Sequence, residues 1–100
     1  MKVKDLLKNS SHATIVTLTP NNFKSVARLG VIVDVMLLDG KPFCGVHTRE
    51  RRIQNAYGLN LALFPVRMSD TACHVVSVAI DVLFCMGYLS KVDNGCNNRK

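Results

Sequence analysis

Residues 69–87, SDTACHVVSVAIDVLFCMG, decide the fold of this chain. Ser69 is a suitable N-cap for a helix, Asp70 places negative charge at the positive end of the helix dipole, and Gly87 can adopt the left-handed conformation that ends a helix. At about 100° per residue, the polar side chains share one narrow strip: Asp70, His74, Ser77 and Asp81. The other positions are apolar or small, so the pattern predicts a central helix buried over most of its circumference.

Two alternatives for the same segment are a strand and a membrane span. Its β-branched residues favour a strand, but a strand would mix polar and apolar side chains on both faces and would be unusually long. A span over residues 71–90 has the right length, but Asp81 near its centre costs about 2.5–3.5 kcal/mol. We therefore expect a core helix in a protein that has no membrane partner.

The composition describes one folded domain. The chain has 100 residues, of which 48% are hydrophobic and 20% charged, which is enough for one core and argues against disorder. We predict a single α/β domain over residues 1–90 and a flexible polar tail over residues 91–100. The high apolar content of so short a chain also favours a homodimer or a protein partner that covers part of its surface.

The remaining elements follow from periodicity, turn residues and caps. Asp39-Gly40 predicts a type I′ turn between two strands, and Thr48 predicts the N-cap of the next helix. Pro42 has no N–H, so its strand is expected at a sheet edge or beginning after the proline. The predicted helices cover residues 2–9, 20–30, 49–57 and 69–87, and the predicted strands cover 13–19, 31–38, 41–47 and 59–66. The fold class is α+β: a small single-domain mixed four-stranded sheet in the order αβαββαβα, with helices packed on it and the C-terminal helix central.

Metal binding and catalysis find little support in the sequence. Cys44 and His47 have the spacing of a zinc-ligand pair, but no second close pair follows, and on a strand these two side chains point to opposite faces. There is no nucleophile elbow or phosphate-binding glycine loop. The polar strip of the C-terminal helix offers an Asp and a His, but side chains along one helix rarely converge on a substrate. We expect a non-enzymatic protein with no cofactor, no metal and no catalytic residue.

The cysteines indicate a reducing compartment. Cys44, Cys73, Cys85 and Cys96 show no disulfide framework, and most lie in apolar segments. The N-terminal residues are rich in Lys and have no apolar run of the length that a signal peptide needs. We therefore expect free, mostly buried thiols and a cytoplasmic location.

The positive charge is concentrated in two segments. The net charge is +6 for the whole chain, with +4 over residues 1–28, +3 over residues 49–67 and −2 over residues 69–90. Arginine binds phosphates in a bidentate way, and Gln or Asn can hydrogen-bond bases. The leading hypothesis is a small binding module whose basic face engages nucleic acid or another acidic partner, using these residues: Arg49, Arg51, Arg52, Gln54, Asn55, Lys24 and Arg28. The alternative is a small regulator or inhibitor that binds a protein partner through apolar surface, either as a monomer or as a homodimer.

Overall fold

The computed structural model describes residues 1–19, 23–25, 29–87 and 89–91, and for residues 23–25, 57 and 89–91 it describes the backbone. The described helices are α1 (Val3–Leu6), α2 (Arg51–Tyr57) and α3 (Ala72–Cys85). The described strands are β1 (His12–Leu18), β2 (Phe23–Ser25), β3 (Val31–Leu38), β4 (Lys41–His47), β5 (Ala62–Pro65) and β6 (Leu89–Lys91). The predicted α+β class is confirmed.

The main sheet has four strands in the order β1-β3-β4-β5, and every neighbouring pair is antiparallel. The prediction of a mixed sheet is therefore wrong, because each described connection returns the chain beside its neighbour in the opposite direction. The predicted hairpin is confirmed: Asp39 and Gly40 have φ values of 53° and 74°, as a type I′ turn requires. Pro42 lies at the N-terminal end of β4, an inner strand of the sheet, and pairs with Leu37 of β3. The pairing of β4 with β5 begins one residue later, at Phe43.

Helix α3 packs on one face of this sheet, which we call the inner face. Alternate residues of the strands supply the apolar surface there: Val31, Val33 and Val35 of β3, Cys44 and Val46 of β4, and Ala62 of β5. From α3, Val75, Ala79 and Leu83 are buried at a spacing of four residues. Val78 and Val82 are only half-buried, so the helix buries one stripe rather than most of its circumference.

The ends of α3 differ slightly from the prediction. Thr71, not Ser69, is the N-cap, and its hydroxyl accepts the His74 backbone N–H at 3.1 Å. Asp70 instead accepts the backbone N–H of Arg67 and so stabilises the preceding turn. Gly87 follows the helix with a φ of 81°, in the left-handed region as predicted. Within the described residues, no helix combines the length and apolar character that a membrane span needs.

The helix predicted over residues 20–30 is wrong at its centre. Phe23–Ser25 forms β2, which pairs with β6 in a separate two-stranded antiparallel sheet. The amphipathic spacing around Phe23 favours a helix locally, but pairing with a segment more than sixty residues away overrides that preference. The remainder of that predicted helix, apart from Leu29 and Gly30, lies outside the described residues. Lys91, which was predicted to begin the tail, belongs to β6, and the rest of that predicted tail also lies outside the described residues.

Candidate functional site

The predicted arginines surround a groove at the end of β4. Arg49, Arg51 and Arg52 line it together with Leu29 and Glu50, and its volume is about 590 Å³. All three arginine side chains are exposed. Thr48 was predicted to be the N-cap of this helix, and this prediction is wrong. Helix α2 begins at Arg51, and Glu50 is its N-cap residue. The Thr48 hydroxyl is buried and accepts the backbone N–H of Glu50 at 3.2 Å, which fixes the turn that presents the arginines.

Glu50 supplies the negative charge inside this basic groove. Its side chain is buried, and its two oxygens accept the Leu29 backbone N–H at 2.9 Å and the Arg52 guanidinium at 3.0 Å. Arg49 and Arg51 form no ion pair with any residue that the structure describes. The described groove therefore carries three positive charges against one negative charge, and two of its guanidinium groups remain available for a ligand.

The other predicted site residues divide into three groups. Gln54 donates its amide N–H to the Thr48 carbonyl at 2.6 Å, so this donor stabilises the turn. Asn55 is exposed and lies one helical turn after Arg51, on the same side of α2. Lys24 belongs to strand β2 instead of a helix, and Arg28 lies outside the described residues.

A second polar cluster, which the sequence pattern did not reveal, lies on the outer face of the sheet. Asp34 stands in the middle of β3, and its Oδ2 atom accepts Nε2 of His12 at 2.9 Å and Nε2 of His47 at 2.6 Å. His12 pairs with Met36 and His47 pairs with Ile32. The two imidazoles therefore approach Asp34 diagonally, from opposite strands and opposite directions. We call these three residues the His–Asp–His cluster.

The carboxylate of this cluster is buried while its histidines face solvent. The side chain of Asp34 is 2% exposed, compared with 55% for His12 and 30% for His47. Burial alone would raise the pKa of Asp34. Hydrogen bonding to His47, to His12 and to the Thr14 hydroxyl outweighs this effect and holds the pKa of Asp34 below its usual value. An ionised carboxylate only accepts hydrogen bonds, so both imidazoles donate Nε2–H, and each Nδ1 atom is left to accept a proton.

Asp34 has two further properties that mark it as unusual. Its Oδ1 atom is buried and accepts no hydrogen bond in the part of the chain that is described. A buried polar atom without a partner is rare, because it loses its interaction with water and gains nothing in return. On the inner face, burial and then the charge of Asp34 raise the pKa of the Cys44 thiol to about 12.

In the described part of the chain, neither the Cys44–His47 spacing nor the polar strip of α3 belongs to a cluster that could hold a metal ion. Among the described residues, no three His, Cys, Asp or Glu side chains are arranged to hold a metal ion. Cys44 is buried on the inner face, and His47 binds Asp34 on the outer face. On α3, the side chains of His74, Ser77 and Asp81 are exposed. A smaller groove of about 210 Å³ lies between β5 and α3, beside His74.

Comparison with protein-family models, with curated proteins and with solved structures finds no match to this chain. Its function must therefore be inferred from its own residues.

Proposed function

We propose that this protein is a non-enzymatic binding module that engages nucleic acid through the basic groove formed by Arg49, Arg51 and Arg52. Nucleic-acid backbones present a regular series of phosphates, and arginine binds them through paired hydrogen bonds and through release of condensed counterions. The location in a reducing compartment such as the cytoplasm is part of the proposal, because the described cysteines Cys44, Cys73 and Cys85 are all free thiols.

The observation that supports this proposal is the arrangement of charge around the groove. Three exposed guanidinium groups occur within four consecutive residues, and the intervening Glu50 is buried and already bonded to Arg52 and the backbone of Leu29. An ordinary solubilising surface intersperses both signs of charge, so that neighbouring side chains neutralise one another. Around this groove the exposed charged groups are all positive, and a surface of this kind attracts a polyanion.

Binding to a labelled nucleic acid at several salt concentrations tests the proposal. For a mixed-sequence RNA or duplex DNA, the logarithm of the association constant should fall linearly with the logarithm of salt, and alanine at Arg49, Arg51 and Arg52 should reduce the slope by about 2–3. The control variant replaces Lys4, Lys8 and Arg67, which are also exposed, so both triple variants lose the same charge. Equal weakening by the two variants would show that net charge alone, and not the groove, governs binding.

A second candidate function rests on exposed apolar side chains near the edge strand β5. Leu59 is 74% exposed and Leu63 is 45% exposed, and β5 has one unpaired edge in the described sheet order. Such an edge can pair with another chain, and exposed leucines add apolar contact area. This arrangement suits a regulator that binds a protein partner or a second copy of itself. A nuclease-insensitive, stoichiometric protein partner in a pull-down would favour this candidate over nucleic acid.

A further inference from the structure

We propose that this protein forms a two-fold symmetric homodimer in which the outer faces of the two sheets pack against each other. The contact is centred on four side chains, which we call the outer-face patch: Met36, Phe43, Leu63 and Pro65. This surface differs from the basic groove and from the backbone edge of β5, so the inference goes beyond the nucleic-acid binding proposed above.

The register of the sheet brings the patch together. Met36 pairs with Phe43, and Phe43 pairs with Pro65, so these three residues form one row across β3, β4 and β5. In the neighbouring row, Leu63 pairs with Gly45. A Cβ on Gly45 would lie 2.6 Å from the terminal methyl of Met36 and 3.7 Å from a methyl of Leu63. The missing side chain therefore lets the apolar groups of the two rows meet in one continuous surface.

This apolar surface lies on the face of the sheet that a solvated protein would make polar. Leu63 is 45% exposed, Pro65 is exposed, and Met36 and Phe43 are half-buried. An antiparallel sheet with one face on the core and one in water alternates apolar and polar residues along its strands. Strand β3 reads VIVDVMLL instead, with apolar side chains on both faces. This pattern is typical of a sheet that is covered on both sides.

The distribution of charge favours a second copy over nucleic acid as the partner of this patch. The chain carries a net charge of +6, so two copies repel each other wherever their basic segments meet. Within the described strands, the two rows of the patch contain no Lys or Arg. Lys41 borders the patch beside the turn, where Asp39 carries the opposite charge. A polyanion lacks cationic partners in these rows, whereas a neutral apolar surface is complementary to its own copy.

The polar residues of the outer face are compatible with the same contact. His12 and Thr14 are exposed on β1, at the margin of the face. The side chain of Asp34 is already 2% exposed and is bonded by His12 and His47, so a second copy removes little further water from its charge. An apolar centre beside a polar margin is the usual anatomy of a specific interface.

The size of the face predicts a weak dimer. Four strands about 4.8 Å apart, each with about seven residues at about 3.4 Å per residue, give a flat area of about 450 Å² per copy. Because side chains protrude from this plane, two copies bury about 1,000 Å² in total, which is the lower limit for a specific interface. We therefore expect a dissociation constant of about 1–100 μM.

Sedimentation velocity at protein concentrations from about 1 μM to about 500 μM tests this inference, because these concentrations bracket the expected dissociation constant. The wild type should change from the mass of one chain to that of two. Leu63→Lys should weaken the dimer by at least about tenfold, because it places an unpaired positive charge from each copy in the apolar contact. The control is Met86→Lys, which adds the same charge at the end of α3, where Met86 is 50% exposed, and should dimerise as the wild type does. Circular dichroism checks that both variants keep the native fold.

A second measurement uses the unmodified protein and so does not depend on the folding of a variant. In a mixture of isotopically labelled and unlabelled chains, intermolecular NOEs should join the methyl groups of Met36 and Leu63 to the Phe43 ring of the other copy. A wild type that stays monomeric over the whole concentration range overturns the inference. So does a folded Leu63→Lys variant that dimerises as tightly as the wild type, or a set of intermolecular NOEs confined to α3 or to the backbone of β5.

Discussion

Asp34→Asn should destabilise the fold near neutral pH and have little effect in acid. The wild-type carboxylate accepts two charge-assisted hydrogen bonds, from His12 and His47, each worth about 1.5–3 kcal/mol, whereas neutral ones are worth about 0.5–1.5 kcal/mol. The amide keeps one acceptor oxygen for the imidazoles, and the buried, unpartnered Oδ1 offsets part of the wild-type gain. We therefore expect a loss of about 2 kcal/mol at pH ~7, or a Tm lower by roughly 8–16 °C.

The pH dependence follows from the direction of the pKa shift of Asp34. Its pKa is lower in the folded protein than the ordinary value of 3.8, so the folded state binds fewer protons than the unfolded state. The stabilisation by the carboxylate is present above that ordinary value and is lost as the pH falls through the folded pKa. Wild type and variant should therefore converge to within about 0.5 kcal/mol in acid, near the lower end of that window.

Urea unfolding, followed by circular dichroism at pH ~7 and in acid, measures the difference in the free energy of unfolding between the wild type and Asp34→Asn. Asp81→Asn on α3 is the matched control, because Asp81 is exposed and its replacement should change the free energy of unfolding by less than about 0.5 kcal/mol at either pH. A variant of Asp34 as stable as the wild type at neutral pH would refute the role assigned to the two hydrogen bonds. A stability difference of the same size in acid would refute the assigned ionisation.

Three other predictions concern the core, a thiol and a turn. Leu83→Ala should cost about 2–5 kcal/mol in urea unfolding, because Leu83 lies fully buried on the face of α3 that packs on the sheet. The exposed Ser77→Ala should stay within about 0.5 kcal/mol, and the reverse ranking would mean that the helix faces the other way. Peptide mass spectrometry after iodoacetamide treatment should find Cys73 and Cys85 alkylated and Cys44 protected until the protein unfolds, since Cys44 is buried with a raised pKa. Gly40→Ala should cost about 1–2 kcal/mol in thermal melts, because Gly40 has a φ of 74° although no atom obstructs a Cβ there; an unchanged Tm would contradict that backbone conformation.

Local signals were sufficient for much of the fold. Asp39-Gly40 predicted the hairpin, whose two strands have the predicted bounds, because positive φ at both residues is a property of the dipeptide itself. The polar strip of the C-terminal segment likewise predicted α3. The helix predicted around Phe23 was wrong because the pairing of β2 with β6 joins segments distant in sequence. No local pattern contains that contact.

The two histidine partners of Asp34 could not be predicted from the sequence, because their positions depend on the register of the sheet. A lone Asp34 among the apolar residues of β3 signals that a buried carboxylate needs partners, but it does not name them. The strand β1 has a bulge between Thr14 and Val16, which changes the alternation of its side chains. Before the bulge, His12 and Thr14 point outward, and after it Val16 can still point inward to the core. Without this bulge, Val16 and Leu18 would share the outer face with His12 and Thr14.

The residue of β4 that pairs with Asp34 is a glycine. Gly45 is paired with Asp34, and a Cβ at this position would lie 2.6 Å from the terminal methyl of Met36. The absence of a side chain thus leaves room for the terminal methyl of Met36 over β4. His12 and His47 remain the exposed parts of the cluster. A side chain larger than glycine at position 45 would force the terminal methyl of Met36 to shift on the outer face, directly opposite Asp34 in the register of the two strands.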